Sequence, residues 1–274
     1  MIELISGSAT SVGLVRSVNE DSLRDTPPVF LVADGMGGYA AGDVASAIVI
    51  EEFAGADGLA ALTPEWVIGA LDRAHARIRQ TQGGTTVAGA AVVEQDGLPY
   101  WLVFNVGDSR VYLRSGGEFS QVSIDHSVVQ ELVDAGRISV ESARLHPQRH
   151  VITRAVGAAD ANRPDLWLVP ALPGDRLLIC SDGISAELSA DVIEHEVAAG
   201  GAAQQVADAL LDIALRAGGR DNISIVVVDV LGDAMLEGAT IPSGNLDDER
   251  TLPRLPDRDV GPGRHAADED SQEE

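Results

Sequence analysis

The chain has 274 residues, 45% of them hydrophobic, and a net charge of -24, enough apolar material for a full core in one domain with an appendage. That negative charge excludes nucleic acid as a partner, since phosphate backbones are drawn to basic surfaces. Lysine is absent and Cys180 is the lone cysteine, which rules out Schiff-base and Walker-lysine chemistry, intrachain disulfides and cysteine-rich metal sites.

In chain order, residues 4–10 open a strand. The apolar run at 29–33, bounded by Pro28 and by Gly35, Gly37 and Gly38, reads as a buried strand. Residues 40–53 read as a helix with Val44, Ala47, Ile48 and Glu51 at turn spacing. Thr63 caps a second helix, with Pro64 at its first position, Trp66, Val67, Ala70, Leu71, Ala74 and Ile78 along it, and Gly83-Gly84 as its stop. Residues 85–94 and 99–106 form a hairpin around Asp96-Gly97. A strand at 110–114 is followed by a turn at Ser115-Gly116-Gly117, and a helix at 125–135 stops at Gly136. The segment 138–157 is irregular and broken by His146-Pro147. Strands at 166–169 and 176–180, a helix from Ser189 to residue 199, another over 202–217 ending at Gly218-Gly219, and a strand at 223–230 complete the folded part. Strands cluster while helices come in pairs, which favours α+β layers over a wound parallel sheet.

From Gly232 the aromatics vanish and Pro, Gly and acids rise. The chain therefore divides into a domain at 1–231 and an acidic tail at 232–274 expected to be disordered, because such a segment cannot bury enough apolar surface to offset its chain entropy. Thr251 in Asp247-Asp248-Glu249-Arg250-Thr251 is either part of a plain solubilising stretch or a phosphorylation site. The opening Met1-Ile2-Glu3-Leu4 lacks the pattern of a signal peptide and no apolar run could span a bilayer, so a cytoplasmic location is expected.

Four acids sit at strand ends. Asp34, Asp108 and Asp182 follow apolar runs and Asp221 precedes one, so antiparallel neighbours could bring all four to one sheet edge. Asp34, Asp182 and Asp221, with the Gly35 carbonyl and Glu20, form an oxygen-only set suited to Mg²⁺ or Mn²⁺ rather than zinc. Two such ions bridged by a carboxylate would hold a hydroxide for in-line attack on phosphorus. Arg16, four residues before Glu20, offers a fork that matches phosphate oxygens.

These residues lie in Arg16-x-x-Asn19-Glu20-Asp21, Val32-Ala33-Asp34-Gly35-Met36-Gly37-Gly38, Gly84-Thr85-Thr86, Asn105-Val106-Gly107-Asp108-Ser109-Arg110, Asp125-His126-Ser127, Ser181-Asp182-Gly183 and Gly219-Arg220-Asp221-Asn222. In that order they resemble the metal-dependent PPM, or protein phosphatase 2C-like, Ser/Thr phosphatases in their compact bacterial form, over roughly residues 5–230. The resemblance implies an αββα sandwich, two antiparallel sheets with helices outside. It implies two Mn²⁺ or Mg²⁺ ions, with Asp34 bridging, Asp182 and Asp221 on the first, and the Gly35 carbonyl with Glu20 (through water) on the second. Arg16 would be the phosphate-binding arginine, and 138–157 a flap beside the cleft.

Two departures stand out. Met36 occupies the place of a histidine proposed in some relatives to protonate the leaving group, which leaves water as the acid. Ala186 occupies the place of an Asp that helps bind a third ion, so a third site built on Asp108 is expected to be weak, unless Glu187 next door substitutes. His126 is read as a capping or packing residue, and His146 and His150 as flap residues without a catalytic role. The implied activity is hydrolysis of phosphoserine and phosphothreonine in proteins, by a monomer working opposite a cognate Ser/Thr kinase. A small-molecule phosphatase and a catalytically dead phosphoprotein-binding module are the competing readings.

Overall fold

The structure is a computed structural model that describes residues 2–37, 41–158 and 163–232. Ala40, Thr251 and the predicted tail beyond Gly232 lie outside the described residues.

The strands sort into two antiparallel sheets. One has the order β1 (Glu3–Ser11), β11 (Ile223–Leu231), β10 (Arg176–Cys180), β7 (Arg110–Ser115) and β8 (Glu118–Gln121). The other runs β2 (Asp21–Thr26), β3 (Val29–Met36), β5 (Val87–Gln95), β6 (Leu98–Val106) and β9 (Asp165–Pro170), with the short β4 (Gly84–Thr85) on the end of β3. Side chains alternate between the faces of a strand, and here both faces are buried. On β11, Val226, Val228 and Val230 enter the layer between the sheets, while Ile223, Ile225 and Val227 meet the helices. On β3, Phe30 and Val32 face the other sheet, and Val29, Leu31 and Ala33 face helices α1 (Gly42–Phe53) and α2 (Pro64–Ile78). Three apolar layers result, helix on sheet on sheet on helix, which is the expected αββα sandwich. Double burial is why these strands read as unbroken apolar runs although every ladder between the named strands is antiparallel.

The remaining helices are α3 (Val128–Asp134), α4 (Val140–Ala143), α5 (Asp182–Glu187), α6 (Ala190–Ala198) and α7 (Ala203–Ala217). Thr63 caps α2 as expected, its side chain accepting from the Trp66 N–H at 3.2 Å. The stop is earlier than the glycines predict: α2 ends at Ile78, where the Thr81 hydroxyl donates to the Ile78 carbonyl at 2.7 Å. On α1 the buried face is Ala45, Ser46, Ile48, Val49 and Phe53, whereas Val44 and Glu51 are exposed. The expected face is rotated by about one residue, because apolar residues ring this helix. α3 starts at Val128, capped by Ser127, and not at Asp125. Its predecessor Asp125 is held by Arg110 in a two-pronged ion pair.

The expectation of one sheet edge needs correction. Asp34 ends β3 in one sheet, Asp182 and Asp221 flank β10 and β11 in the other, and Asp108 lies on the link from β6 to β7, which crosses between them. The four acids gather at one end of the sandwich, drawn from both sheets.

Candidate active site

Asp34 is fixed through its backbone. Its carbonyl accepts from the Thr85 hydroxyl and the Thr86 N–H, both at 2.9 Å, and its N–H donates to the Thr86 hydroxyl at 3.2 Å. That hydroxyl also bonds Ser109 at 2.7 Å, which ties the Asp34 strand to the Asp108 turn. The Gly84-Thr85-Thr86 motif thus works as a backbone clamp. Gly35 has no room for a side chain: a Cβ there would strike the carbonyls of Gly42 and Glu20. Glu20 lies over Gly42 at the start of α1, its backbone N–H held by Asn222.

Asp21, directly opposite Asp34 in the β2–β3 register, is a carboxylate that sequence reasoning quoted but gave no role. Its Oδ2 accepts from the Ser181 hydroxyl at 2.9 Å, and its Oδ1 is buried with no hydrogen-bond partner. Burial foremost, then the charges of Asp182 and Asp221, pushes the Asp21 carboxyl up to about 7. Burial and the charges of Asp21, Asp182, Asp108 and Asp221 hold Asp34 well above the usual carboxylate range. Asp108 is pushed up to about 8, by burial first and then by Asp182 and Asp125. Asp182 is raised by burial and by Asp221, with His150 acting in the opposite direction. So many acids raising one another is a concentration of negative charge short of cations. Together with the orphaned Asp21 oxygen and the oxygen-only donor set, it fits hard divalent ions.

Both Asp221 carboxylate oxygens are engaged with protein hydrogens. Asp221 Oδ2 accepts from the Arg16 guanidinium at 2.8 Å and Oδ1 from the Asn222 N–H at 2.8 Å. Among the described residues no group of three such side chains closes on one point. Arg16 is half-exposed.

Asn222 carries a role that only its contacts reveal. Its Nδ2 donates to the carbonyls of Val12 at 3.0 Å and Val18 at 2.9 Å, and its Oδ1 accepts from the Glu20 N–H at 2.9 Å. One buried amide thus closes both ends of the loop bearing Arg16 and joins it to Asp221. The Leu14 N–H donates to the Gly219 carbonyl at 2.6 Å, and Gly13, at φ +78, lets the Asp221 carbonyl approach where a Cβ would collide. Asn222→Ala should lower stability by about 2–3 kcal/mol, one net bond each for three lost contacts. It should also depress phosphate-ester turnover, since Arg16 and Asp221 lose their common anchor. Thermal melting and kcat/KM together check this; a variant with normal melting and turnover would mean the loop is held elsewhere.

Glu187 does not stand in for the carboxylate missing at Ala186. Its side chain is 3% exposed and turned to Arg220, accepting from the backbone N–H and from the guanidinium, both at 2.9 Å. His126 is structural, as expected. Its Nδ1 accepts from the Gly107 N–H at 3.1 Å and its Nε2 faces Asp165 at 3.2 Å, which fixes the proton on Nε2 in the neutral ring. Cys180 is buried, and burial pushes its thiol up to about 12, so it is unreactive.

Residues 15–210 match the family model described as Protein phosphatase 2C. The chain is 38% identical over 260 residues to the serine/threonine protein phosphatase PstP of Mycobacterium tuberculosis, covering 88% of this chain and 48% of PstP. The chain thus spans about half the length of that curated relative. It is 33% identical over 238 residues to the serine/threonine phosphatase stp of Listeria monocytogenes, covering 80% of this chain and 93% of stp. Among solved structures, the catalytic domain of PstP in complex with two manganese ions superposes with a TM-score of 0.76 at 33% identity, covering 85% of this chain and 100% of that one. The family model spans the Arg16 loop, the Asp34 turn and Asp182, and the relatives extend the match over most of the chain: it belongs to the protein phosphatase 2C family.

Proposed function

We propose that the chain is a metal-dependent phosphatase acting on phosphoserine and phosphothreonine in proteins. The observation that carries this reading is the gathering of Asp21, Asp34, Asp108, Asp182 and Asp221 from two sheets at one end of the sandwich, within reach of an arginine. Support comes from the names of PstP and stp and from the two manganese ions in the PstP catalytic domain.

In this reading Asp34, Asp182 and Asp221 would hold one Mn²⁺ or Mg²⁺ ion, and Asp34 with the Gly35 carbonyl and Glu20 would hold the second. When bound, the ions supply positive charge to the ester's oxygens and make water nucleophilic at neutral pH. The protein's own contribution is positional. The Thr85–Thr86 clamp fixes Asp34, Asn222 fixes Asp221 and Glu20 relative to Arg16, and Arg16 leaves Asp221 to grip the phosphate with its fork. Met36 has no proton to give, so the leaving alkoxide takes its proton from water.

Ala186→Asp tests the third site. Glu187, held by Arg220, is not free to supply the carboxylate that position 186 lacks. The substitution should lower the Mn²⁺ concentration needed for full activity and leave binding of the first two ions unchanged; an unaltered Mn²⁺ titration would mean that no third ion takes part.

No helix among the described residues is long and apolar enough to cross a membrane. A cytoplasmic setting, a cognate Ser/Thr kinase, a monomeric state and a tail dispensable for turnover belong to the same reading. They rest on the sequence, and on a set of site motifs that one chain supplies. The competing small-molecule phosphatase is separated by phosphate release from a panel of phosphopeptides and sugar phosphates with Mn²⁺. The proposal expects the peptides to be preferred; turnover confined to sugar phosphates would overturn it.

A further inference from the structure

The segment between α3 and β9, whose His150 acts on Asp182, is basic in an acidic protein. Between residues 137 and 154 stand Arg137, Arg144, Arg149 and Arg154, with His146 and His150, against the single acid Glu141, in a chain with 43 acidic residues and 19 arginines. Elsewhere among the described residues arginines are mostly paired with carboxylates, as Arg77 is with Glu51 and Glu52, and Arg176 with Asp229. Arg154 follows that pattern through Asp165. Arg137, Arg144 and Arg149 do not. All three are exposed, and none forms an ion pair within 4 Å among the described residues, although Glu141 feels the charge of Arg144. The one side-chain hydrogen bond they make among the described residues is a 3.5 Å contact from Arg149 to the His146 carbonyl. An acidic sequence had many carboxylates available to neutralise them.

The chain is pinned beside the site just before α3, at 126–127, and again at the segment's C-terminal end, at 152–156. The His126 N–H donates to the Gly107 carbonyl, next to Asp108, at 2.8 Å, and the Thr153 N–H donates to the His126 carbonyl at 2.8 Å. Ser127 bridges to Ile152, and Val156 bridges to Thr85, whose hydroxyl holds the Asp34 carbonyl. His150 lies near enough to Asp182 to act on its charge. The exposed guanidiniums therefore stand on a short loop structure rooted on the rim where a phosphorylated residue would enter.

We propose that Arg137, Arg144 and Arg149 form a docking surface for acidic side chains flanking the phosphorylated residue of a protein substrate. This rests on the phosphatase reading and deepens it by naming a substrate class. Guanidinium forks suit carboxylates, and exposed charges of this kind set partner choice and encounter rate more than raw affinity. The inference runs against the net charge of -24, which by itself favours basic peptides.

The test compares the full chain with the triple variant R137A/R144A/R149A in Mn²⁺ buffer at low ionic strength. Substrates are three phosphothreonine peptides with acidic, neutral or basic flanks, and 4-nitrophenyl phosphate. The wild type should show kcat/KM about tenfold higher for the acidic than for the neutral peptide. In the variant that preference should vanish, while 4-nitrophenyl phosphate hydrolysis stays within about twofold and reports an intact fold. The reversal R144E/R149E should favour the basic peptide. A wild-type preference for basic or neutral flanks, or an acidic preference that survives the triple substitution, would overturn the docking surface and leave the phosphatase reading in place. Failure to hydrolyse any substrate, 4-nitrophenyl phosphate included, would overturn both.

Discussion

Asp34→Asn should abolish most phosphatase activity and, at the same time, stabilise the protein in metal-free buffer. The loss follows from position, since Asp34 is the one carboxylate assigned to both ions. Substitution of groups that merely support metal ligands costs roughly 10–100-fold, so a shared ligand should cost at least the upper end of that range in kcat. The gain follows from electrostatics. Burial and the surrounding Asp21, Asp182, Asp108 and Asp221 hold the Asp34 carboxyl well above the usual range. A carboxyl whose pKa is raised by folding contributes stability that is present at low pH and is lost as pH rises through the folded value. With Asp21 at about 7 and Asp108 at about 8, metal-free wild type should therefore lose stability as pH climbs from the ordinary carboxylate range up to 7 to 8, and level off above. An amide at position 34 removes one of the repelling charges, so the variant should melt higher than wild type at pH 8 in chelator. Added Mn²⁺ should reverse the order by stabilising wild type more. Near-normal turnover in the variant would contradict the assignment of Asp34, and a lower melting point in chelator would contradict the electrostatic account.

Arg16→Ala should separate phosphate binding from metal binding. Loss of a charge-assisted fork costs about 2–3 kcal/mol of transition-state stabilisation, or roughly 30- to 150-fold in kcat/KM. The metal site should not suffer. In the structure Arg16 donates to Asp221 Oδ2, an oxygen assigned to the first ion, so guanidinium and metal compete for it. Removing the arginine should leave Mn²⁺ affinity equal or higher, measurable by titration calorimetry without any substrate. A collapse of Mn²⁺ affinity with normal KM would make Arg16 part of the scaffold.

Much of this arrangement was legible because local chemistry decided it. Asp96 at φ 53 and Gly97 at φ 78 make the two-residue turn that Asp-Gly announces, and Thr63 with Pro64 marks the start of α2. The carboxylates were legible as acids placed where apolar runs end. Their partition between two sheets was not, because β3, β10 and β11 are buried on both faces and their runs carry no mark of which sheet they join. The inward face of α1 was misread for a similar reason, since Ala, Ile and Val occur almost all round it. The short α5 was missed. It begins at Asp182 itself, where Asp-Gly signals a turn as readily as a first helical residue. Asn222 and Glu187 illustrate the limit of spacing arguments. Their roles lie in bonds to residues up to 210 positions away, and only folding makes those bonds visible.

The most direct measurement is a calorimetric Mn²⁺ titration of the full chain, followed in parallel by phosphate release from a phosphothreonine peptide. The account predicts at least two ions bound per chain, release that rises as the second site fills, and complete loss in excess chelator. Binding of one ion or none, or release that persists in chelator, would contradict it.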